Sequence, residues 1–129
     1  MAKIDVSIGE LVDRVTILQI KLDRIADPEK KKNIRKEFDA LSRQMKDAGV
    51  ASDSEEYVRL KRVNETLWDI ENSIRLKEAG LDFDDAFVQL ARAVYRNNDE
   101  RSRLKRDLNL RFHSMWIEEK EYAEYPAKK

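Results

Sequence analysis

Apolar residues recur at steps of three and four along most of the chain, which is the spacing of one face of an α-helix. They predict helices over about residues 8–26, 28–48, 54–79 and 84–112, followed by an arm over residues 113–129. The connections between the helices are short. The pattern therefore predicts an all-α fold, a four-helix antiparallel bundle of two helical hairpins with a C-terminal arm, as a single helical domain over residues 1–129.

Local signals mark the helix ends. Ser7 and Glu10 form a capping box in which each side chain can satisfy a free backbone N–H at the start of helix 1. Asp27 and Pro28 end helix 1 and begin helix 2, because Asp is a favourable N-cap and Pro suits the first helical position. This connection is too short for anything but a sharp reversal, so helix 2 is predicted to lie antiparallel on helix 1.

The apolar stripes of the helices differ in width. Helix 2 carries a narrow seam of Ile34, Phe38, Leu41 and Met45. Helix 1 extends its stripe sideways with Ile17 and Ile20, which indicates contact with more than one neighbouring helix. We interpret the charged residues beside this stripe, including Asp13, as a rim whose aliphatic stems cover apolar surface.

Helix 4 breaks its own seam, because Asn97 and Arg101 fall where apolar residues belong. The first interpretation is pairing with acids on a facing helix or a symmetry mate. The second is a polar pocket between helices 3 and 4 that binds an anionic ligand. The third is exposure to solvent through a kinked or rotated helix. Under the second, the candidate ligand-binding residues are Arg92, Asn98, Asp99, Arg101, Lys105, Asp69 and Glu65.

Two carboxylates of helix 3, Glu65 and Asp69, lie one turn apart and share a face. Together with Asp99 they would suit a divalent cation, but ordinary ion pairing with nearby basic residues is the favoured interpretation. One His and no Cys exclude His-rich and Cys-ligated metal sites, and no phosphate loop or catalytic triad is visible. We therefore predict no metal and no cofactor, and no catalytic residue can be assigned.

Charge and hydropathy restrict the partners. The 26 basic and 26 acidic residues cancel, so no overall field attracts nucleic acid or an anionic membrane, and nucleic-acid binding is disfavoured. No apolar run approaches the ~18 residues of a membrane span, and the N-terminus does not resemble an export signal. The absence of cysteine fits a reducing compartment. These features predict a cytoplasmic protein without membrane contact.

Several short sequence segments are similar to those of a known family. They are Val12-Asp13-Arg14-Val15-Thr16-Ile17-Leu18-Gln19-Ile20-Lys21, Leu67-Trp68-Asp69-Ile70-Glu71, Leu90-Ala91-Arg92-Ala93-Val94-Tyr95 and Glu118-Glu119-Lys120-Glu121-Tyr122. With them the chain resembles, over nearly its whole length, an uncharacterised bacterial family, domain of unknown function 6165. The resemblance implies no activity and no catalytic residues. One departure is His113-Ser114-Met115-Trp116, where the family is expected to have Gly-Ser before Glu-Glu-Lys.

Two functional hypotheses remain. The favoured one is a non-catalytic helical interaction or adaptor protein that self-associates or binds a protein partner, because the apolar surface exceeds what four short seams need. Its candidate interface residues are Ile17, Ile20, Trp68, Tyr95 and Trp116. The alternative is a small-molecule-binding protein or enzyme that acts on a phosphorylated or carboxylated metabolite in the polar pocket. The residues favour a protein that is not an enzyme.

Overall fold

The computed structural model describes residues 1–126, which form four α-helices and no strand. The helices are α1 (Ile8–Arg24), α2 (Pro28–Asp47), α3 (Glu55–Ala79) and α4 (Asp85–Arg111), each ending within two residues of its predicted position. The predicted all-α four-helix bundle is confirmed. The last three residues of the predicted arm, 127–129, lie outside the described residues.

Each helix begins at a side chain that accepts a hydrogen bond from a backbone N–H of the first turn: Ser7, Asp27, Ser54 and Asp84. The predicted capping box at α1 is half formed. Ser7 Oγ accepts from the Glu10 N–H at 3.1 Å, but the Glu10 carboxylate binds Arg14 and Lys105 instead of a backbone N–H. Arg14 reaches Glu10 from the next turn of α1, and Lys105 reaches it because the start of α1 packs beside α4.

Helix α1 is the centre of the molecule. It packs against the other three helices, whereas α2 packs on α1 alone among the described residues. Pairing of Glu10 with Lys105 and of Asp13 with Arg101 runs α1 antiparallel to α4. The wide apolar stripe of α1 therefore meets more than one neighbour, as predicted. The core draws on all four helices and comprises Val12, Val15, Met45, Val50, Tyr57, Leu60, Leu104 and Leu108.

The start of α1 and the end of α4 approach each other closely at Gly9. The Gly9 N–H donates to Asn109 Oδ1 at 2.6 Å. A Cβ added at Gly9 would overlap the backbone oxygen of Lys105 and lie 2.9 Å from Asn109 Oδ1. Only a residue without a side chain allows this contact, which fixes the position of α1 on α4.

Helices α3 and α4 are longer than α1 and α2. With 25 and 27 residues they span about 37 and 40 Å, against about 25 Å for the 17 residues of α1. Their far end, residues 74–94, is called the hairpin end below. No residue from Glu71 to Arg103 is buried, although eight of the 17 residues of α1 are.

Candidate functional site

A buried polar cluster joins α1, α3 and α4 around Asp13, which is 1% exposed. Its carboxylate accepts from Arg101 Nε at 2.9 Å and Nη2 at 2.5 Å, and from Asn64 Nδ2 at 2.9 Å. Thr16 Oγ1 accepts from Asn64 at 2.9 Å and donates to the backbone oxygen of Asp13 at 2.7 Å. Each of these polar atoms has a hydrogen-bond partner within the cluster, so Asp13 is an integral part of the core.

The interpretation of Asp13 as a rim residue is wrong. Because α1 is surrounded by three helices, a position beside its apolar stripe still faces protein and not water. Of the three interpretations of Arg101, the structure shows pairing with an acid on a facing helix. The hydrogen bond to Asp13 raises the pKa of Arg101, and burial opposes this shift only in part. The guanidinium therefore stays charged, and the pair fixes α1 against α4.

A second ion pair lies one turn along the same interface. Lys105 Nζ donates to Glu10 Oε2 at 2.7 Å, and Arg14 Nε donates to Glu10 Oε1 at 3.1 Å. Burial alone would raise the pKa of Glu10, but the hydrogen bonds and charges of Lys105 and Arg14 outweigh it and lower that pKa. Glu10 is thus ionised at neutral pH and balances the charge of Lys105.

Four of the seven predicted ligand-binding residues meet at one cavity of about 210 Å³ between α4 and the arm. Asn98, Asp99, Arg101 and Lys105 line it, together with Ser102, Lys120 and Tyr122, which sequence reasoning missed. The cavity carries no excess positive charge. Arg101 is paired with Asp13, Lys105 with Glu10 and Lys120 with Glu118. The arrangement can hydrogen-bond a ligand but offers no unbalanced field for an anion.

The remaining three predicted residues lie elsewhere. Glu65 pairs with Lys61 at 3.6 Å, and Asp69 pairs with Arg24 of α1. Arg92 is half-buried, two turns before Asp99 on α4. Asp99 accepts a hydrogen bond from the Tyr125 hydroxyl on the arm, away from the acids of α3. Within residues 1–126 no group of three or more metal-binding side chains converges.

The arm runs back along α4. Ser114 Oγ accepts from the N–H of Ile8 at 3.1 Å and donates to the backbone oxygen of Trp116. Farther along, Glu119 pairs with Arg106 at 2.7 Å, and the Tyr125 ring packs edge-on against Tyr95 with centroids 5.1 Å apart. The arm therefore covers α4 from its last turns back to its middle. Its irregular backbone gave no periodic signal from which this path could be predicted.

The five predicted interface residues do not form one surface. Ile20 is 1% exposed and so is not available to a partner, which corrects its assignment. Ile17 and Trp68 are half-buried and line a solvent-open cavity of about 220 Å³ beside Arg101. Tyr95 packs against Tyr125, and Trp116 lies half-exposed on the arm. Packing within the chain thus covers part of what the sequence suggested was interface.

A different apolar surface lies at the hairpin end. Its most exposed side chains are Leu76 at 69%, Leu81 at 73%, Phe83 at 55% and Val88 at 47%. Phe83 packs edge-on against Phe87, and Lys77 closes the turn by pairing with Asp82 and Asp84. Sequence reasoning missed this surface, although the excess length of helices 3 and 4 over helix 1 was a usable signal.

No helix of the described residues is long and apolar enough to cross a membrane.

Comparisons with known proteins bear on the family alone. No curated protein and no solved structure matches the chain. The family model described as "Family of unknown function (DUF6165)" matches residues 2–127. This match covers nearly the whole sequence and agrees with the resemblance of the short sequence segments, so the chain belongs to the DUF6165 family of unknown function.

Proposed function

We propose that this chain is a non-catalytic helical interaction protein that self-associates through its hairpin end. One observation carries the proposal: no residue from Glu71 to Arg103 is buried, yet that stretch holds many large apolar side chains. Within the hairpin end they are Ile74, Leu76, Leu81, Phe83, Phe87, Val88, Leu90 and Val94. The packing of α3 on α4 covers part of these side chains. An apolar helix face needs a second layer to cover it, and within the described residues no third helix covers the rest.

A second copy of the chain supplies such a layer. Away from the hairpin end, α1 packs on α3 and α4 as a third helix. The buried residues of those two helices lie there, from Tyr57 to Ile70 on α3 and from Leu104 to Asn109 on α4. At the hairpin end no residue is buried, so within residues 1–126 no third helix covers the seam there. Two hairpin ends docked about a two-fold axis would form a short four-helix arrangement, in which each copy offers the same apolar surface. The contact closes on itself, so it gives a dimer and no open chain of copies.

Two of the three cations of the hairpin end, Arg75 and Lys77, already have partners within the hairpin. Arg75 pairs with Glu71 at 2.9 Å and Lys77 with Asp84 at 2.9 Å, both within the hairpin. These side chains bring their own partners, so a second copy does not have to neutralise them. The polar cavity beside α4 supports the alternative, an anionic-metabolite site, less well because its cations are already paired.

Sedimentation velocity over a range of micromolar concentrations tests the proposal. We expect the wild-type chain to sediment as a dimer and Val88→Glu to shift it to monomer, because the contact would bury two unpaired carboxylates. Val58→Glu is the matched control, since Val58 is similarly exposed, at 41% against 47%, but lies near the start of α3.

Wild-type chain that remains monomeric at every concentration would overturn the proposal. Equal dissociation of the two variants would also overturn it, because the contact would then not be located at the hairpin end. Circular dichroism of both variants checks that the helices are intact before sedimentation is interpreted.

A further inference from the structure

The C-terminal arm and the helix beneath it carry opposite charges. Residues 92–111 of α4 hold seven basic and three acidic side chains, a net charge of +4. Three of these cations, Arg101, Lys105 and Arg111, are paired with acids of α1 and α3, which leaves a net charge of +1. The described part of the arm, residues 113–126, holds four glutamates and one lysine, a formal net charge of −3, and Lys128 and Lys129 bring the whole arm to −1. Charge attraction therefore favours the arm on α4, although the chain as a whole is neutral.

The contacts that hold the arm are few and exposed. The Arg106–Glu119 pair leaves 47% and 73% of the two side chains accessible, and exposed pairs of this kind contribute little to stability. Tyr125 adds its hydrogen bond to Asp99 and its ring contact with Tyr95. From residue 115 to 126 the arm has no regular secondary structure. Such a segment opens locally at small cost.

A groove remains between the arm and α4. Two cavities, of about 500 and 570 Å³, share Ser102, Arg103 and Lys120, and the smaller polar cavity adjoins both. Arg96 lines the larger one, and its Nε atom is buried without an acceptor among the described residues. The arm thus occupies this face without filling it.

We propose that this face of α4, formed by Tyr95, Arg96, Ser102, Arg103 and Arg106, is a docking site for an acidic, tyrosine-bearing peptide segment of another protein. The arm is the intramolecular competitor of that segment. The arm itself shows the chemistry that fits: a glutamate on Arg106 and a tyrosine between Asp99 and Tyr95. A peptide supplies both groups from one strand.

The acids of α4 favour a peptide over a nucleic acid. Asp99, Glu100 and Asp107 are interleaved with the basic residues and repel a phosphate and a glutamate alike, so charge alone does not separate the two kinds of ligand. Asp99 instead accepts a hydrogen bond from a tyrosine hydroxyl, a donor that a phosphate backbone lacks. This proposal is independent of self-association, because the hairpin end, residues 74–94, and the face beneath the arm, which begins at Tyr95, use different side chains.

The test uses the full chain and a fluorescent synthetic peptide with the sequence of residues 115–126, whose binding is followed by anisotropy. The arm is loosened by Glu119→Gln with Tyr125→Ala, which leaves Ser114 in place. We expect the peptide to bind this double variant at least about 10-fold more tightly than wild type, because the competing arm no longer occupies most molecules.

Three controls define the site. Arg106→Glu added to the double variant should abolish the gain, whereas Lys32→Glu, the same charge reversal on exposed α2, should leave it unchanged. A peptide with its four glutamates replaced by glutamine should bind at least about 10-fold more weakly, because it loses the charge attraction to α4. Val88→Glu should not alter peptide binding even if it abolishes self-association, so the two proposals fail separately.

Several results would overturn the proposal. The first is equal peptide affinity for wild type and the double variant, since the arm would then not compete. The second is absence of binding to the double variant when circular dichroism shows it folded. The third is tight binding of a single-stranded oligonucleotide in place of the peptide, which would assign the face to nucleic acid.

Discussion

Asp13 is nearly fully buried, and its two oxygens are held by the side chains of Arg101 and Asn64. The three residues belong to three different helices. A carboxylate without partners at this depth would be strongly destabilising, so the cluster specifies one arrangement of α1, α3 and α4. At the scale of single residues, these hydrogen bonds fix the relative positions of α1, α3 and α4.

Arg101→Met should therefore lower the free energy of unfolding. We expect a loss of about 3 kcal/mol, near the low end of the usual cost of breaking a buried pair, because the Arg101 side chain is 29% exposed. Urea denaturation measures it. Adding Asp13→Asn should restore part of the loss, since the uncompensated charge is removed. A neutral or stabilising Arg101→Met would contradict the assigned role of Arg101 in balancing Asp13.

Tyr57 gives a second prediction, in the alkaline range. Burial and, to a lesser degree, the charge of Asp23 raise the pKa of Tyr57 to about 12 from its ordinary value of 10.0. The unfolded chain releases this proton first, so stability is complete below pH 10 and is lost as the pH rises toward about 12. Denaturation of Tyr57→Phe should show a smaller loss over this range than wild type. Parallel pH profiles would contradict the assignment.

At the scale of elements, the position of α1 on α4 depends on Gly9. Gly9→Ala should destabilise the fold by about 1–3 kcal/mol, because the new methyl group meets the backbone of α4, which cannot move aside without displacing the helix. Gly80→Ala is the control, since a Cβ there meets nothing nearer than 3.7 Å. Thermal unfolding of the two variants should differ clearly, and equal melting temperatures would show that the approach at Gly9 is not tight.

The sequence predicted the ends of the helices closely, but it predicted less well which side chains the packing of the helices buries. Caps such as Ser7 and Asp27 are local signals, so the helix ends could be predicted closely. Burial depends on which helices surround a position, which is why Asp13 was misplaced and why the cover over Asn98 and Lys105 was not foreseen. The hydrogen bond from the Ile8 N–H to Ser114 Oγ joins residues 106 positions apart, and no local pattern encodes it.

At the scale of the whole molecule, burial is uneven. The half of the bundle around α1 holds the core and the polar cluster, whereas the hairpin end exposes apolar side chains that a monomer leaves in water. Deleting these side chains would cost the isolated chain little, because they bury little within it. Their contribution is expected in the dimer, where stability becomes dependent on protein concentration.

This concentration dependence is a prediction in its own right. The melting temperature of wild type should rise as the protein concentration increases, while that of Val88→Glu should stay constant, because only the wild type gains stability by association. Differential scanning calorimetry at several concentrations measures both. A wild-type melting temperature that does not change with concentration would indicate a monomer.

The most direct measurement is the distance between copies at the hairpin end. The sequence contains no cysteine, so a spin label can be placed at a single introduced one. With Gln89→Cys, on the exposed surface beside Val88, pulsed electron paramagnetic resonance should show a short distance between two copies. With Lys36→Cys, on exposed α2, it should show a longer one. No dipolar coupling from either label, or a short distance from the α2 label alone, would contradict self-association through the hairpin end.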